Sequence, residues 1–334
     1  MLRVLQVGLG SLGRRMVADL HGRGLGVVVG AVDVDPDLRG KALTELVGGV
    51  ASDVRVVASI DDLDGGRAGG EPTCAIVTTS SWLDRCEGTF RALLERGLAV
   101  VSTCEELVFP WLKSAALAHE LDAQARERGG RLLGAGVNPG FLMDALPLIA
   151  SAVCRTVESI DVARVQDASL RRLPFQHKIG TGMSVAEFAA RAREGRFGHA
   201  GLEQSLHFLA HYLGFAFERT GGTLEPLIAE REHASGLGPV APGAVRGLRQ
   251  VAWGEDGRGR RIRLEFVAAV GVADPRDSVT IAGEPPVELV WRGGVHGDIA
   301  TVSLVLNALP SLLAAPPGLH TMASIPPAHW RAGG

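Results

Sequence analysis

Residues 2–20 read LRVLQVGLGSLGRRMVADL: a short apolar run, a turn with glycines at 8, 10 and 13, then Leu12, Met16, Val17 and Leu20 in helical spacing. A strand that ends in G-x-G-x-x-G and feeds a helix is the pattern of a dinucleotide cradle. Gly8 permits the tight turn, Gly10 lets a pyrophosphate approach the backbone, and Gly13 lets the helix pack close to the strand. The helix start, with Ser11 and Leu12, presents backbone N–H groups and a positive dipole end to phosphate. Glycine supplies 44 of the 334 residues, so the motif gains its weight from context. That context is a strand before, a helix after, and Asp33 at the end of a second strand, GVVVGAVD. Asp33 is placed to accept hydrogen bonds from ribose hydroxyls and to repel a 2′-phosphate, which favours NAD(H). Arg39 and Lys41 lie close enough in sequence to keep NADP(H) possible. An acidic turn within DVDPD is the simpler alternative for Asp33.

The same alternation continues. Strand patterns recur near VRVVAS, CAIVTTS and LAVVST, with a helical segment, LDRCEGTFRALLERG, between the last two. Strands alternating with helices predict a doubly wound, parallel α/β sheet of Rossmann type. Ligands lie beyond the carboxyl ends of such strands, so Thr78, Thr79 and Ser80 after the fourth strand and Cys104 after the fifth are candidate cofactor contacts. The glycine-rich stretch at 64–71 reads as a surface loop.

After NPGF at 138–141 the texture changes. VESIDVARVQ, GLRQVAWGE, RIRLEFVAAVGV and VELVWRGG read as strands, the middle two joined by DGRG as an antiparallel hairpin. SVAEFAARAREG and LEQSLHFLAHYLG read as helices, and HASGLGPVAPGAVRG as an exposed loop. The second domain is therefore predicted as α+β, on an open, largely antiparallel sheet. The expected organisation is a dinucleotide-binding domain over 1–137, a substrate and dimerisation domain over 138–297, and a C-terminal helix and tail over 298–334. That helix, GDIATVSLVLNALPSLL, is predicted to be amphipathic with Asp298 as its N-cap.

Charge and composition exclude several functions. With 34 basic and 37 acidic residues the net charge is -3, and no basic face is evident for nucleic acid. The four cysteines form no CxxC pair and suit a reducing compartment. The N-terminus enters a strand pattern at once, without a leader pattern. The apolar run from Ile299 to Ala315 is interrupted by Ser303, Asn307, Pro310 and Ser311 and is read as too short for a membrane span. The expectation is a soluble, cytoplasmic protein. Glu203, His207 and His211 follow one another at i, i+4, but the HExxH order is absent, so no metal is expected.

Several stretches together carry a resemblance: VGLGSLGRRM, STCEELVFPW, GAGVNPGFLMD, HKIGTGMS, GDIATVSLVLNALP and PGLHTM. Over essentially the whole chain the sequence resembles the 2,4-diaminopentanoate dehydrogenases and native amine dehydrogenases of the dihydrodipicolinate reductase-like group. The resemblance implies an NAD(P)-dependent oxidoreductase that interconverts an amine with a ketone and ammonia. It also implies a C-terminal helix that returns to the first domain, and a homodimer formed largely through the second. It places the catalytic carboxylate in the STCEEL block at Glu105, with Glu106 the adjacent alternative.

The chemistry suits a carboxylate there. An alkylammonium resembles the lysine side chain, with a pKa of about 10.4, and cannot release hydride while protonated. A carboxylate at the strand end binds the ammonium and takes its proton. Burial beside a nicotinamide is expected to raise that carboxylate's own pKa. Alternatively Glu105 caps the following helix. Cys104 reads as a small packing residue beside the cofactor. Asn138, ahead of Pro139 and Gly140, is a candidate to hold an amine or a carboxamide, or it forms a domain-joining turn. Phe141 and Met143 would shape an apolar pocket, or belong to the core. His177 falls where dihydrodipicolinate reductases keep a histidine- and lysine-rich motif, but the second histidine and the proline of that motif are missing here. Thr301 is a candidate contact for carboxamide or substrate, and Arg171, Arg172 and Lys178 for a substrate carboxylate. An imine or enamine reductase and a non-catalytic dinucleotide sensor are the competing readings.

Overall fold

The computed structural model describes residues 1–63, 70–169 and 171–332. Most of the glycine-rich stretch read as a surface loop therefore lies outside the described residues. The chain forms two compact units, Met1–Gly140 with Gly297–Gly334, and Phe141–His296.

In the first unit β1 (Leu2–Val7) runs into α1 (Ser11–Gly22), followed by β2 (Gly26–Val32), the single turn α2 (Leu43–Leu46) and the two-residue β3 (Val56–Val57). Then come β4 (Cys74–Val77), α3 (Leu83–Glu95), β5 (Ala99–Ser102), a 3-10 turn at Glu105–Val108, α4 (Trp111–Arg128) and β6 (Arg131–Gly134). The second unit holds α5 (Ala145–Ala150), β7 (Thr156–Asp167), α6 (Leu173–Lys178), α7 (Val185–Arg193) and α8 (Leu202–Leu213). It continues through β8 (Phe217–Ile228), β9 (Val245–Asp256), β10 (Arg261–Ala269), β11 (Arg276–Glu284) and β12 (Val287–Arg292). The chain then returns to the first unit with α9 (Gly297–Ala314) and β13 (Gly318–His320).

Among the described residues the first unit carries a seven-stranded sheet in the order β13-β6-β5-β4-β1-β2-β3, with every pairing parallel. The order reverses between β1 and β4, the position where open sheets of this kind form a crevice beyond the carboxyl ends of their strands. Helices α3 and α4 cover one face and α1 and α9 the other. Because both faces are covered, the central strands read as unbroken apolar runs: Cys74–Val77 and Ala99–Ser102 are buried throughout. Phe90, Leu93 and Leu94 of α3 and Ala118, Leu121 and Ala125 of α4 fill one face against Ala75, Val100 and Leu132.

Helix α9 corrects two expectations. It begins at Gly297, so Asp298 lies inside its first turn and is not the N-cap. It is also not amphipathic. Packed between α1 and strands β5 and β6, it buries Val302, Val305, Leu306, Ala308, Leu309 and Leu312. By length and composition it passes as a membrane span, with 44% of its residues buried inside the fold, which is the character of a core helix.

The second unit is a six-stranded sheet in the order β12-β11-β7-β10-β9-β8. All its pairings are antiparallel except β7 with β10. The predicted hairpin is β9–β10. Strands β8 and β11 are not among those the sequence predicts; β11 does alternate, burying Asp277, Val279 and Ile281, whereas β8 carries Gly221, Gly222 and Pro226 and lies at the edge, where proline is tolerated. Helix α8 packs on β9, β10 and α5.

Candidate active site

The glycine turn of the first unit is built as its sequence implies. Gly8 has φ +90°, and a Cβ at Gly13 would sit 1.9 Å from the Gly8 carbonyl oxygen and 2.8 Å from Thr78 Oγ1. Only glycine lets α1 approach this closely. A Cβ at Gly10 would meet nothing within 4 Å, so the turn faces open space where a phosphate would lie. No side chain caps α1, whose N-terminus begins at Ser11 and Leu12 and directs backbone donors into that space. These features fit a dinucleotide. Gly13→Ala is expected to weaken NADH binding by about tenfold or more, some 1.4 kcal/mol, and to destabilise the fold by about 1–3 kcal/mol. Fluorescence titration and thermal melting check this, and unchanged values would refute the cradle.

Asp33 is half-buried at the end of β2, as its spacing predicts. Its Oδ2 accepts the Leu9 N–H at 2.5 Å and its Oδ1 the Asp35 N–H at 2.9 Å. The carboxylate thus braces the glycine turn.

The four hydroxyls after β4 point to different places. Thr78 Oγ1 donates to the Gly8 carbonyl at 2.9 Å and buttresses the turn. Thr79 Oγ1 lies 3.6 Å from Cys86 Sγ. Ser80 Oγ accepts the Trp82 N–H at 3.2 Å. Ser81 Oγ donates to Glu105 Oε1 at 2.9 Å. Ser81 is absent from the candidates the sequence supplies, although its place in a strand-end turn beside the STCEEL block is a usable signal.

Glu105 opens the 3-10 turn that follows β5 and is half-buried. Its neighbour has a different task. Glu106 Oε2 accepts the N–H of Leu83, the first residue of α3, at 2.8 Å, so Glu106 caps the N-terminus of that helix. No sequence signal marks this, because cap and helix lie on different strand–helix units. Cys104 is fully buried with its thiol 3.4 Å from the Ser81 carbonyl. Contact with the Cys86 thiol and then burial hold the Cys104 thiol well above its ordinary pKa, which is a packing environment and not that of a nucleophile.

Asn138 follows β6, the strand beside β5. Its Oδ1 and Nδ2 are both buried and make no hydrogen bond among the described residues. A primary amide left without partners is costly unless a ligand or water supplies them. Thr301, the fifth residue of α9, accepts the Val137 N–H at 3.3 Å and so supports the backbone that presents Asn138.

In the second unit Met143 is fully buried and Phe141 is half-buried. Met143 lines a crevice with Leu142, Leu146, Val162, Arg164 and Trp291. His177 is exposed on α6. That helix is anchored by Gln176, which donates to the Ala168 carbonyl at 3.0 Å and accepts the Gly236 N–H at 3.0 Å. Arg171 stacks over Phe175 and donates to Gln166 Oε1 at 2.5 Å. Lys178 is half-buried and Arg172 exposed. His207 packs against the Phe217 ring, and burial lowers its pKa. Among the described residues no group of three His, Cys, Asp or Glu side chains converges as a metal site.

Residues 141–332 match the sequence family described as 2,4-diaminopentanoate dehydrogenase C-terminal domain. The chain is 28% identical to a 2,4-diaminopentanoate dehydrogenase of Acetoanaerobium sticklandii, over 97% of this chain and 93% of that protein. Its fold superposes on an amine dehydrogenase from Mycobacterium smegmatis with a TM-score of 0.86 at 24% identity, covering 99% and 98% of the two chains. More distantly, it resembles the WlbA dehydrogenase from Bordetella pertussis in complex with NADH and UDP-GlcNAcA. That match has a TM-score of 0.55 at 16% identity, covering 94% of this chain and 86% of the other.

Proposed function

The chain belongs to the 2,4-diaminopentanoate dehydrogenase family, and from that premise we propose that it is an NAD(P)-dependent amine dehydrogenase. It deaminates a small amine or diamino acid oxidatively and, in reverse, aminates the matching ketone with ammonia. The observation that carries this reading is the pair of polar groups at adjacent strand ends: the Glu105 carboxylate after β5, held by Ser81, and the unpartnered Asn138 amide after β6.

The glycine turn, Asp33 and the hydroxyl turn at 78–80 are assigned to cofactor binding; when bound, the nicotinamide supplies the hydride acceptor. Asp33 favours NAD(H), since a 2′-phosphate would meet its negative charge. Glu105 binds the substrate ammonium and removes its proton to a carboxylate oxygen, freeing the nitrogen lone pair. In the amination direction the same carboxylate orients ammonia and returns the proton. Asn138 presents two donors and an acceptor, enough to fix an amine or a carboxamide. Phe141, Met143 and His177 are proposed substrate contacts, and Thr301 is proposed to hold the Asn138 segment. A cytoplasmic homodimer paired largely through the second unit completes the reading, supported by the family resemblance.

With simple ketones, NADH consumption is expected to require ammonia and to run faster than with NADPH. An initial-rate assay with and without ammonia decides it. Turnover of cyclic imines without ammonia would point to an imine reductase, and NADH binding without any turnover to a sensor.

A further inference from the structure

The turn after β4 and the turn after β5 are stitched together through one residue. The Ser81 hydroxyl donates to Glu105 Oε1 at 2.9 Å, and the Ser81 carbonyl accepts the Glu106 N–H at 3.2 Å and the Cys104 thiol at 3.4 Å. Three successive residues of the STCEEL block are thus held by a single serine. The other three hydroxyls of the turn reach the Gly8 carbonyl, the Cys86 thiol and the Trp82 N–H. Glu106 is committed to the α3 cap.

We infer that Ser81 is a positioning residue for Glu105: its hydroxyl holds Oε1 and favours the ionised carboxylate that takes the proton from the reacting nitrogen. This rests on the reading of Glu105 given above. A hydrogen bond donated to an ionised carboxylate favours the charged form. Such a charge-assisted bond also fixes orientation more strongly than one between neutral groups. Because its carbonyl is bound to the same turn, Ser81 cannot move away from Glu105 without breaking the backbone contact to Glu106. The serine therefore couples the carboxylate to the rigid end of β4.

Amine oxidation needs Glu105 ionised, so loss of the hydroxyl should shift the acid limb of kcat/KM upward. For Ser81→Ala the expected shift is about 0.5–1 pH unit, less than the full worth of a charge-assisted bond at 1.36 kcal/mol per unit. A fall in kcat of about fivefold to tenfold should accompany it. NADH affinity and the melting temperature should stay near wild type, and Ser81→Thr, which keeps the hydroxyl, should restore the limb. An unmoved limb in Ser81→Ala, with Glu105→Gln inactive, overturns the role of Ser81 alone. An equal shift in Ser81→Thr overturns it too, since the hydroxyl would then not be responsible. A Glu105→Gln enzyme that keeps both turnover and the acid limb overturns the reading of Glu105 itself.

Discussion

Glu105→Gln is expected to lower turnover by about 10² to 10⁴ fold while leaving NADH affinity near wild type. The amide keeps the size of the carboxylate and an oxygen that can accept the Ser81 hydroxyl, so the change removes charge and basicity and little else. At 1.36 kcal/mol per tenfold the loss corresponds to about 2.7–5.4 kcal/mol of transition-state stabilisation. The glycine turn follows a different strand, which is why cofactor binding should persist. The variant's residual oxidation should rise with pH toward the amine's own pKa of about 10.4, because the free base then forms without help. Glu106→Gln is the control. It should cost about 1 kcal/mol or less of stability through the weakened α3 cap and retain most turnover. Steady-state kinetics on both variants separate the two carboxylates, and a reversed pattern would assign the chemistry to Glu106.

Asp277→Ala is expected to destabilise the protein by about 3–5 kcal/mol. Asp277 and Arg164 form an ion pair at 3.2 Å with side chains 4% and 1% exposed. Arg164 Nη2 also donates to the Val295 carbonyl at 3.1 Å, and Asp277 Oδ2 accepts the Val295 N–H at 2.7 Å. Burial outweighs the mutual attraction at both partners: it pushes the guanidinium down to about 10 and the carboxyl up. Removing the carboxylate strands a buried positive charge. Arg164→Met combined with Asp277→Leu should recover most of the loss, since an apolar pair of similar volume has no desolvation cost. The pH dependence has a defined sign. With Asp277 gone, the Arg164 pKa in the folded state falls further below its unfolded value, so the unfolded chain binds the extra proton. The deficit of the single variant against wild type should therefore narrow as pH rises toward about 10. Urea denaturation at several pH values measures this; a deficit below about 1 kcal/mol at neutral pH would show that water reaches the pair.

Much of the first unit was legible because parallel strands buried on both faces leave unbroken apolar runs, and glycines mark where helix meets strand. Strands β1, β2, β4 and β5 and the Gly8–Gly13 turn are marked by residue types within a few residues of one another, although their pairings are long-range. The misses share a cause. The three-residue β13 exists only because β6 offers it an edge, with Leu319 N–H held by Asp122 at 2.8 Å. The sequence of α9 shows a single periodicity and so predicts an amphipathic helix, while the fold buries it against α1 on one side and β5 and β6 on the other.

The site divides along the same line. By itself the chain determined where chemistry is to be expected: residue types and local spacing mark a glycine turn at Gly8–Gly13, an acid at Asp33 and carboxylates just past a strand, whereas the strand that precedes Asn138, β6, is seen only in the structure. What the tertiary structure alone decided is which of two adjacent glutamates is taken up by a helix cap and which is held by a serine, and that the buried Arg164 is matched by Asp277 from another strand. Those partners lie 23, 24 and 113 residues apart. Local propensity acts over a turn or two of chain, whereas the pairing of polar groups at such separations is set only when strands come into register and water is excluded between them.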